Sequence, residues 1–217
     1  VQNFLTKEEV AHLIELFNSQ RLEPNAVYKN TGPITIDIGL FLEDVVVKSI
    51  FEKLEKYIGP FELNAGFFFY TNYPHVIHND DTYEFKDVYK GVTIPLQLEG
   101  EFDTLPELCF FDQHYYQGPS KFFKGDTDIP SYYNKQIYEY SEVEGVVNKP
   151  FDVELYKKYF THLRYKWLDG LSLHSMLEWK PTSAMIFDSV NLHCASDFRS
   201  LGIKAKLGIS IFTRWKT

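Results

Sequence analysis

Apolar residues recur at helical spacing as far as Ile58 and at strand spacing from Phe61 onward, and this change of period organises the chain. Val10, Leu13, Ile14 and Phe17 share one side of a predicted first helix. Thr6-Lys7-Glu8-Glu9 opens it as a capping box, in which the Thr6 hydroxyl and the Glu9 carboxylate each satisfy an orphan amide. A second helix is predicted from just after Asp44 to about Ile58, with Val47, Ile50, Phe51, Leu54 and Ile58 on its apolar face. Gly59-Pro60 stops it.

Beyond that point Phe67–Tyr70, Val92–Leu98 and Leu108–Phe111 read as strands between turn-rich segments. A short helix is expected from Asp152 to His162, a loop or short helix near Gly170-Leu171-Ser172, and closing strands at Ser183–Phe187 and Lys206–Thr213. Residues 112–150 differ from their surroundings. Gly118-Pro119, Gly125-Asp126, Ile129-Pro130 and Asn148-Lys149-Pro150 punctuate a stretch crowded with Tyr and Phe, read as a loop-rich insertion that folds beside the site. Helices first and strands afterwards predict a mostly β fold with α additions. The expected architecture is a β-sandwich or jelly roll buttressed by N-terminal helices, with residues 1–217 forming a single domain.

Composition narrows the function. The apolar fraction of 44% and aromatic fraction of 17% supply a large core, which argues against disorder. The net charge is -8 and the 22 basic residues are scattered, so no footprint for nucleic acid is expected. The expected partner is instead a small molecule or a protein side chain. Cys109 and Cys194 are far apart in the sequence and make no disulfide framework. No run approaches membrane-spanning length and no signal-peptide pattern opens the chain, so a reducing, cytoplasmic setting is expected.

The chemistry concentrates in two places. His78-Asn79-Asp80 puts an imidazole and a carboxylate on one face of an extended segment, with Asn79 pointing elsewhere. His193 follows the apolar strand that ends at Asp188. Two imidazoles and one carboxylate form a three-ligand face for non-haem Fe(II), leaving positions open for a co-substrate and O₂. His75 with His78 is the alternative ligand pair, or His75 supports the ligands as a second donor. In the last strand Lys204, Lys206, Gly208 and Ser210 share one face, while Ala205, Leu207, Ile209 and Ile211 share the other. The first face offers a cation and a hydroxyl to a dicarboxylate. Arg199, in the preceding loop, is a second-rank cation.

At these residues the chain resembles the Fe(II)/2-oxoglutarate-dependent oxygenases, in particular the phytanoyl-hydroxylase-like and prolyl-hydroxylase-like branches. Their pattern is His-x-Asp, a distal His, and an Arg or Lys on the last core strand. The resemblance runs from about Phe67 to Phe212. It implies a double-stranded β-helix, or distorted jelly roll, with His78, Asp80 and His193 as iron ligands. It also implies 2-oxoglutarate and O₂ as co-substrates, succinate and CO₂ as products, and hydroxylation of a substrate carbon. Lys206, or Lys204 in a slipped register, would hold the co-substrate carboxylate with Ser210 assisting. Tyr115, Tyr116 and, on the opposite rim, Tyr28 are the candidate substrate contacts. A cupin-like metal-binding protein without turnover and a zinc hydrolase are the rival readings, and the Lys-bearing strand favours the oxygenase over both.

Overall fold

The computed structural model describes residues 1–21, 34–80, 88–116, 121–123 and 143–216. Helix α1 (Lys7–Arg21) opens on the predicted capping box: Glu9 N donates to the Thr6 hydroxyl and Thr6 N to the Glu9 carboxylate. Helix α2 (Val45–Ile58) begins at Asp44, whose carboxylate accepts from the amides of Val46 and Val47. The other Asp44 oxygen lies 2.7 Å from His12 Nε2 of α1, so one side chain caps one helix and ties it to its neighbour. Gly59 ends α2 at a positive φ of 78°, a conformation that suits a residue without Cβ.

The strands are β1 (Ile34–Asp37), β2 (Phe61–Thr71), β3 (Val88–Gly100), β4 (Glu107–His114), β5 (Leu173–Glu178), β6 (Met185–Asp188), β7 (Asn191–Ala195) and β8 (Ile203–Trp215). They pair antiparallel in two sheets, ordered β1-β2-β8-β3-β6 and β5-β4-β7. Alternation divides the apolar residues among three layers. Phe68, Ile94, Leu207, Ile209 and Ile211 of the larger sheet face outward against α1 and α2, so the N-terminal helices buttress this sheet. Phe69, Phe110, Phe187 and Trp179 fill the space between the sheets. Cys109, Phe111, Leu192 and Cys194 turn the other way, under a lid formed by Phe151, Phe160, Leu163 and Trp167.

Several expectations change in detail. The strands outrun their apolar centres, because pairing with β8 carries polar ends such as Glu62 and Glu99, and pairing with β6 carries Lys90, into the ladder. Strands β1, β5 and β7 were not expected. Residues 112–114 belong to β4, so the irregular segment starts later than 112. Helix α3 spans only Val153–Tyr159, which leaves His162 beyond its end rather than on its last turn. The described strands divide five and three between the sheets, an uneven form of the expected pair. Cys109 and Cys194 are direct cross-strand partners, and both are free thiols. Among the described residues no helix is long and apolar enough to cross a membrane.

The double role of Asp44 makes a measurable stability claim. Asp44→Ala should lower unfolding stability by about 1–2 kcal/mol, the upper range for losing an N-cap, read as a shifted urea midpoint with an unchanged slope. An unshifted midpoint would show that solvent satisfies the freed amides of α2 equally well.

Candidate metal centre

The chain passes from one sheet to the other through Ser189-Val190, the link between β6 and β7, and the candidate site lies at this crossing. Backbone bonds fix it before any side chain contributes. His78 N donates to His193 O and His193 N to His78 O, both at 2.9 Å, so the two residues face each other as an antiparallel bridge. Asp80 N donates to Ser189 O at 2.8 Å, and the Ser189 hydroxyl holds Val88 O. Three segments that are remote in sequence are thereby locked into one register.

The side chains follow from that frame. The imidazoles of His78 and His193 lie 4.1 Å apart between centroids. His78 Nδ1 sits 2.8 Å from Val76 O, and His193 Nδ1 sits 3.0 Å from Asn191 O. A carbonyl only accepts, so the proton occupies each Nδ1 and each Nε2 keeps its lone pair. Both free Nε2 atoms face Asp80: His78 Nε2 is 3.5 Å from Oδ1 and His193 Nε2 is 3.7 Å from Oδ2. One ligand atom from each of the three residues lies within 4.8 Å of the others. First-row ions bind nitrogen and oxygen ligands at about 2.0–2.2 Å, so this group can share one ion.

Burial sets the charge states. Desolvation, reinforced by His75 and His193 as neighbours, holds His78 well below the ordinary histidine range, and so in the neutral form a metal requires. Burial raises the Asp80 carboxyl, while His193 pulls it back. His75 stacks on His78 with centroids 4.0 Å apart and is pushed down to about 3, chiefly by desolvation. Phe187 and Phe110 close over His193 at 4.8 and 5.5 Å. Gly91 completes the enclosure: a Cβ there would stand 2.6 Å from the Phe187 ring and 2.8 Å from Asp80 Oδ2.

Lys206 lies on the inner face of β8 and is 5% exposed. Its ammonium rests 4.0 Å from the Trp179 ring centroid and 5.2 Å from that of Phe198. Among the described residues it forms no ion pair with an acid, and burial lowers its pKa to about 8. Gly208, next along the same face, leaves room for Trp179: an added Cβ would meet the indole at 2.8 Å. Ser210, half-buried, follows on that face opposite Phe67 and Thr93.

The remaining candidates lie elsewhere. Lys204 is exposed near the start of β8, beyond its pairing with β2, where it lines an open groove of about 410 Å³ with Asn72, Tyr73 and Arg199. Tyr115 is only 1% exposed and packs edge-on against Phe122, so its ring belongs to the core rather than to an opening. Its backbone does reach the site: Tyr115 O accepts from Asn79 Nδ2, and Tyr115 N donates to Val190 O. Tyr116, 60% exposed, stacks loosely on His114. Tyr28 lies outside the described residues. Lys121, Trp179 and Gly91 escaped the sequence reading. Only Gly91 left a signal there, as a lone glycine in a run of strand formers, which marks a close approach.

No protein-family model matches this chain, and no curated protein sequence does. Among solved structures, the non-haem α-ketoglutarate-dependent epimerase SnoN from nogalamycin biosynthesis is similar at 13% identity and a TM-score of 0.56, covering 99% of this chain and 76% of that one. The same enzyme in complex with Fe³⁺, α-ketoglutarate and nogalamycin RO gives 12% identity and a TM-score of 0.53, covering 99% and 77%. The chain shares the fold of a non-haem iron enzyme. At these identities the likeness is one of fold, and the chemistry must be argued from the residues.

Gly91 offers a test of the enclosure. Gly91→Ala forces Phe187 and the Asp80 carboxylate aside, so divalent-metal affinity should fall ten- to a hundred-fold, the range seen when groups supporting ligands are disturbed. Calorimetric titration with Co²⁺ or Mn²⁺ reads this directly. Unchanged affinity would mean that Asp80 does not need the position it holds here.

Proposed function

We propose that this protein is a non-haem Fe(II)- and 2-oxoglutarate-dependent oxygenase that hydroxylates its substrate, and that its two sheets form a double-stranded β-helix. The carrying observation is the convergence of two Nε2 lone pairs and one carboxylate at the sheet crossing, with their Nδ1 protons already committed to carbonyls. In this reading His78, Asp80 and His193 hold the iron. One negative charge and two neutral donors leave a divalent ion with residual positive charge and open positions. With iron bound, O₂ and 2-oxoglutarate are consumed: one oxygen atom enters the substrate C–H bond, and the other leaves in succinate alongside CO₂.

The protein's own groups do the rest. Lys206 supplies the buried cation for the co-substrate's far carboxylate, where a charge-assisted contact in a dry site is strong. Ser210 stands on the same face as the assisting hydroxyl. Lys204, exposed at the groove, is left out of this assignment. Trp179, Phe198, Phe110 and Phe187 keep water from the space between the sheets. Tyr116, one residue beyond the contact with the Ser189-Val190 crossing, is the tyrosine of its pair available to a substrate. A zinc hydrolase would use the same three ligands. It would leave unused a buried lysine that meets no acid among the described residues, and so is the weaker reading.

Two measurements test this function. Anaerobic Fe(II) addition to the wild type should give a visible absorption band that depends on 2-oxoglutarate, and O₂ should then release succinate. His78→Ala, Asp80→Ala and His193→Ala should each abolish the band. Hydrolytic activity without O₂ in a zinc-loaded sample would overturn the proposal.

The second measurement uses Lys206. Its pKa of about 8 means that the free protein loses the cation just above neutrality. A carboxylate needs the charged form, so 2-oxoglutarate affinity should be flat from about pH 6.5 to 7.5 and then weaken roughly ten-fold per unit above pH 8. Lys206→Arg, which stays charged throughout, should remove that decline. A flat profile in the wild type would place the carboxylate elsewhere.

A further inference from the structure

The groove at the start of β8 holds two cations that the proposed function does not use. Asn72, Tyr73, Arg199, Gly202 and Lys204 line it, around about 410 Å³ of open space. Two tight turns bring these residues together. Gly202 takes a left-handed φ of 86° and donates its N–H to Arg199 O at 3.1 Å, so the chain doubles back between Arg199 and Lys204. A Cβ on Gly202 would stand 2.2 Å from Glu101 O, which packs this turn against the segment after β3. Across the groove, the Thr71 hydroxyl accepts from Tyr73 N and donates to Tyr73 O, closing the turn after β2. The Tyr73 ring then carries the Arg199 guanidinium 5.3 Å from its centroid. The charge here runs against that of the chain. The protein is at -8, yet the groove is lined by two cations and no acid. Neither Arg199 nor Lys204 forms an ion pair with an acid among the described residues. Neighbouring carboxylates are engaged elsewhere: Asp197 accepts from the Thr161 hydroxyl, and Glu99 from the Tyr70 hydroxyl. Both cations are exposed, so a ligand can reach them from solvent.

We propose that this groove binds the phosphoryl group of a small phosphate monoester. The edge of the Arg199 guanidinium offers parallel N–H donors to two phosphate oxygens, and Lys204 offers a point charge to a third. The Asn72 amide adds a neutral donor. A phosphate monoester, with a second pKa of about 6, is a dianion above neutrality. Two cations match that charge, whereas a carboxylate would leave one of them unmatched. The groove is roomier than a phosphoryl group needs and has the size of a small-molecule site. The half-exposed Tyr73 ring gives the organic part of the ligand a surface to lie along. The site goes beyond the oxygenase reading and uses neither its metal ligands nor Lys206.

Calorimetry on the full chain, at low salt and with no metal added, compares phenyl phosphate, benzoate and inorganic phosphate. Phenyl phosphate should bind saturably, and benzoate, with one charge and two oxygens, about ten-fold or more weakly. Inorganic phosphate, with no ring to lie along Tyr73, should also fall behind by about ten-fold. Arg199→Gln and Lys204→Gln should each weaken phenyl phosphate about ten-fold, the loss typical of a hydrogen bond to a charged group. Lys56→Gln removes the same charge from an exposed position on α2 and should leave affinity within about two-fold. Lys206→Ala should leave it equally unchanged. A comparable loss in Lys56→Gln would reduce the effect to net charge and overturn the inference. A loss in Lys206→Ala without one in Arg199→Gln would put the anion in the buried pocket and overturn it too. Equal affinity for benzoate or for inorganic phosphate would overturn the assignment to a phosphate monoester, as would the absence of saturable binding by phenyl phosphate. If the wild type binds phenyl phosphate through Arg199 and Lys204 but gives no band with Fe(II) and 2-oxoglutarate, the oxygenase reading fails and this site stands.

Discussion

The reciprocal backbone bond between His78 and His193 is the constraint on which the rest of the site depends. It joins the segment after β2 to the strand after the sheet crossing, and it holds whatever the side chains are. Once the two backbones face each other at that point, both imidazoles must project from neighbouring positions into the same space. The carbonyls of Val76 and Asn191, each two residues before its histidine, then select the tautomer. Ligand geometry here is inherited from strand pairing. A site built this way needs little side-chain freedom to be frozen when a metal arrives, because the ladder has already ordered its carriers.

Much of this was readable in the sequence, and the unread part has a common cause. Asp44, Thr6 and Glu9 announced the helix starts because capping is local chemistry, complete within four residues. The centre of β8 was legible because both its faces carry a pattern: Leu207, Ile209 and Ile211 outward, Lys206, Gly208 and Ser210 inward. Strand β7 is different. Asn191-Leu192-His193-Cys194-Ala195 alternates too briefly to be told from a ligand loop, and its strand character comes from pairing with β4. Among the described residues strand β5 pairs along one side, with β4, and its mixed burial gives no period. The His78-x-Asp80 motif could be found by spacing. The docking of the end of α3 and Thr161 on Asp197, next to the Phe198 that covers Lys206, could not, since it rests on contacts remote in sequence.

The aromatic richness is spent largely on closure. Tyr115, Phe122, Phe123, Phe151, Phe160 and Trp167 seal the outer face of the smaller sheet. This layer keeps Cys109 and Cys194 dry, and burial raises both thiols far enough to leave them protonated and inert, although the ladder sets them side by side. The described part of the loop-rich segment takes part in that closure and also touches the site. Phe122 N donates to Ile77 O, and Lys121 bridges His78. Packing and site construction therefore share residues, so mutations in this layer should be expected to disturb ligand geometry as well as stability.

Lys206 shows how such a fold tolerates a group it should reject. Burying an ammonium without a counter-ion is unfavourable, and the depressed pKa reports that penalty. The Trp179 face offsets part of it, since a desolvated cation over an indole recovers about 2 kcal/mol. Trp179 can lie there only because Gly208 has no Cβ to hold it off. Raising the pH from about 8 toward the unfolded lysine value near 10.4 lets the folded chain release a proton that the unfolded chain keeps, so this one residue makes the fold more stable as pH rises through that window. A bound carboxylate would reverse the balance by holding the lysine charged above pH 8 as well. The residue that weakens the empty fold is therefore the one through which an anionic ligand would strengthen it.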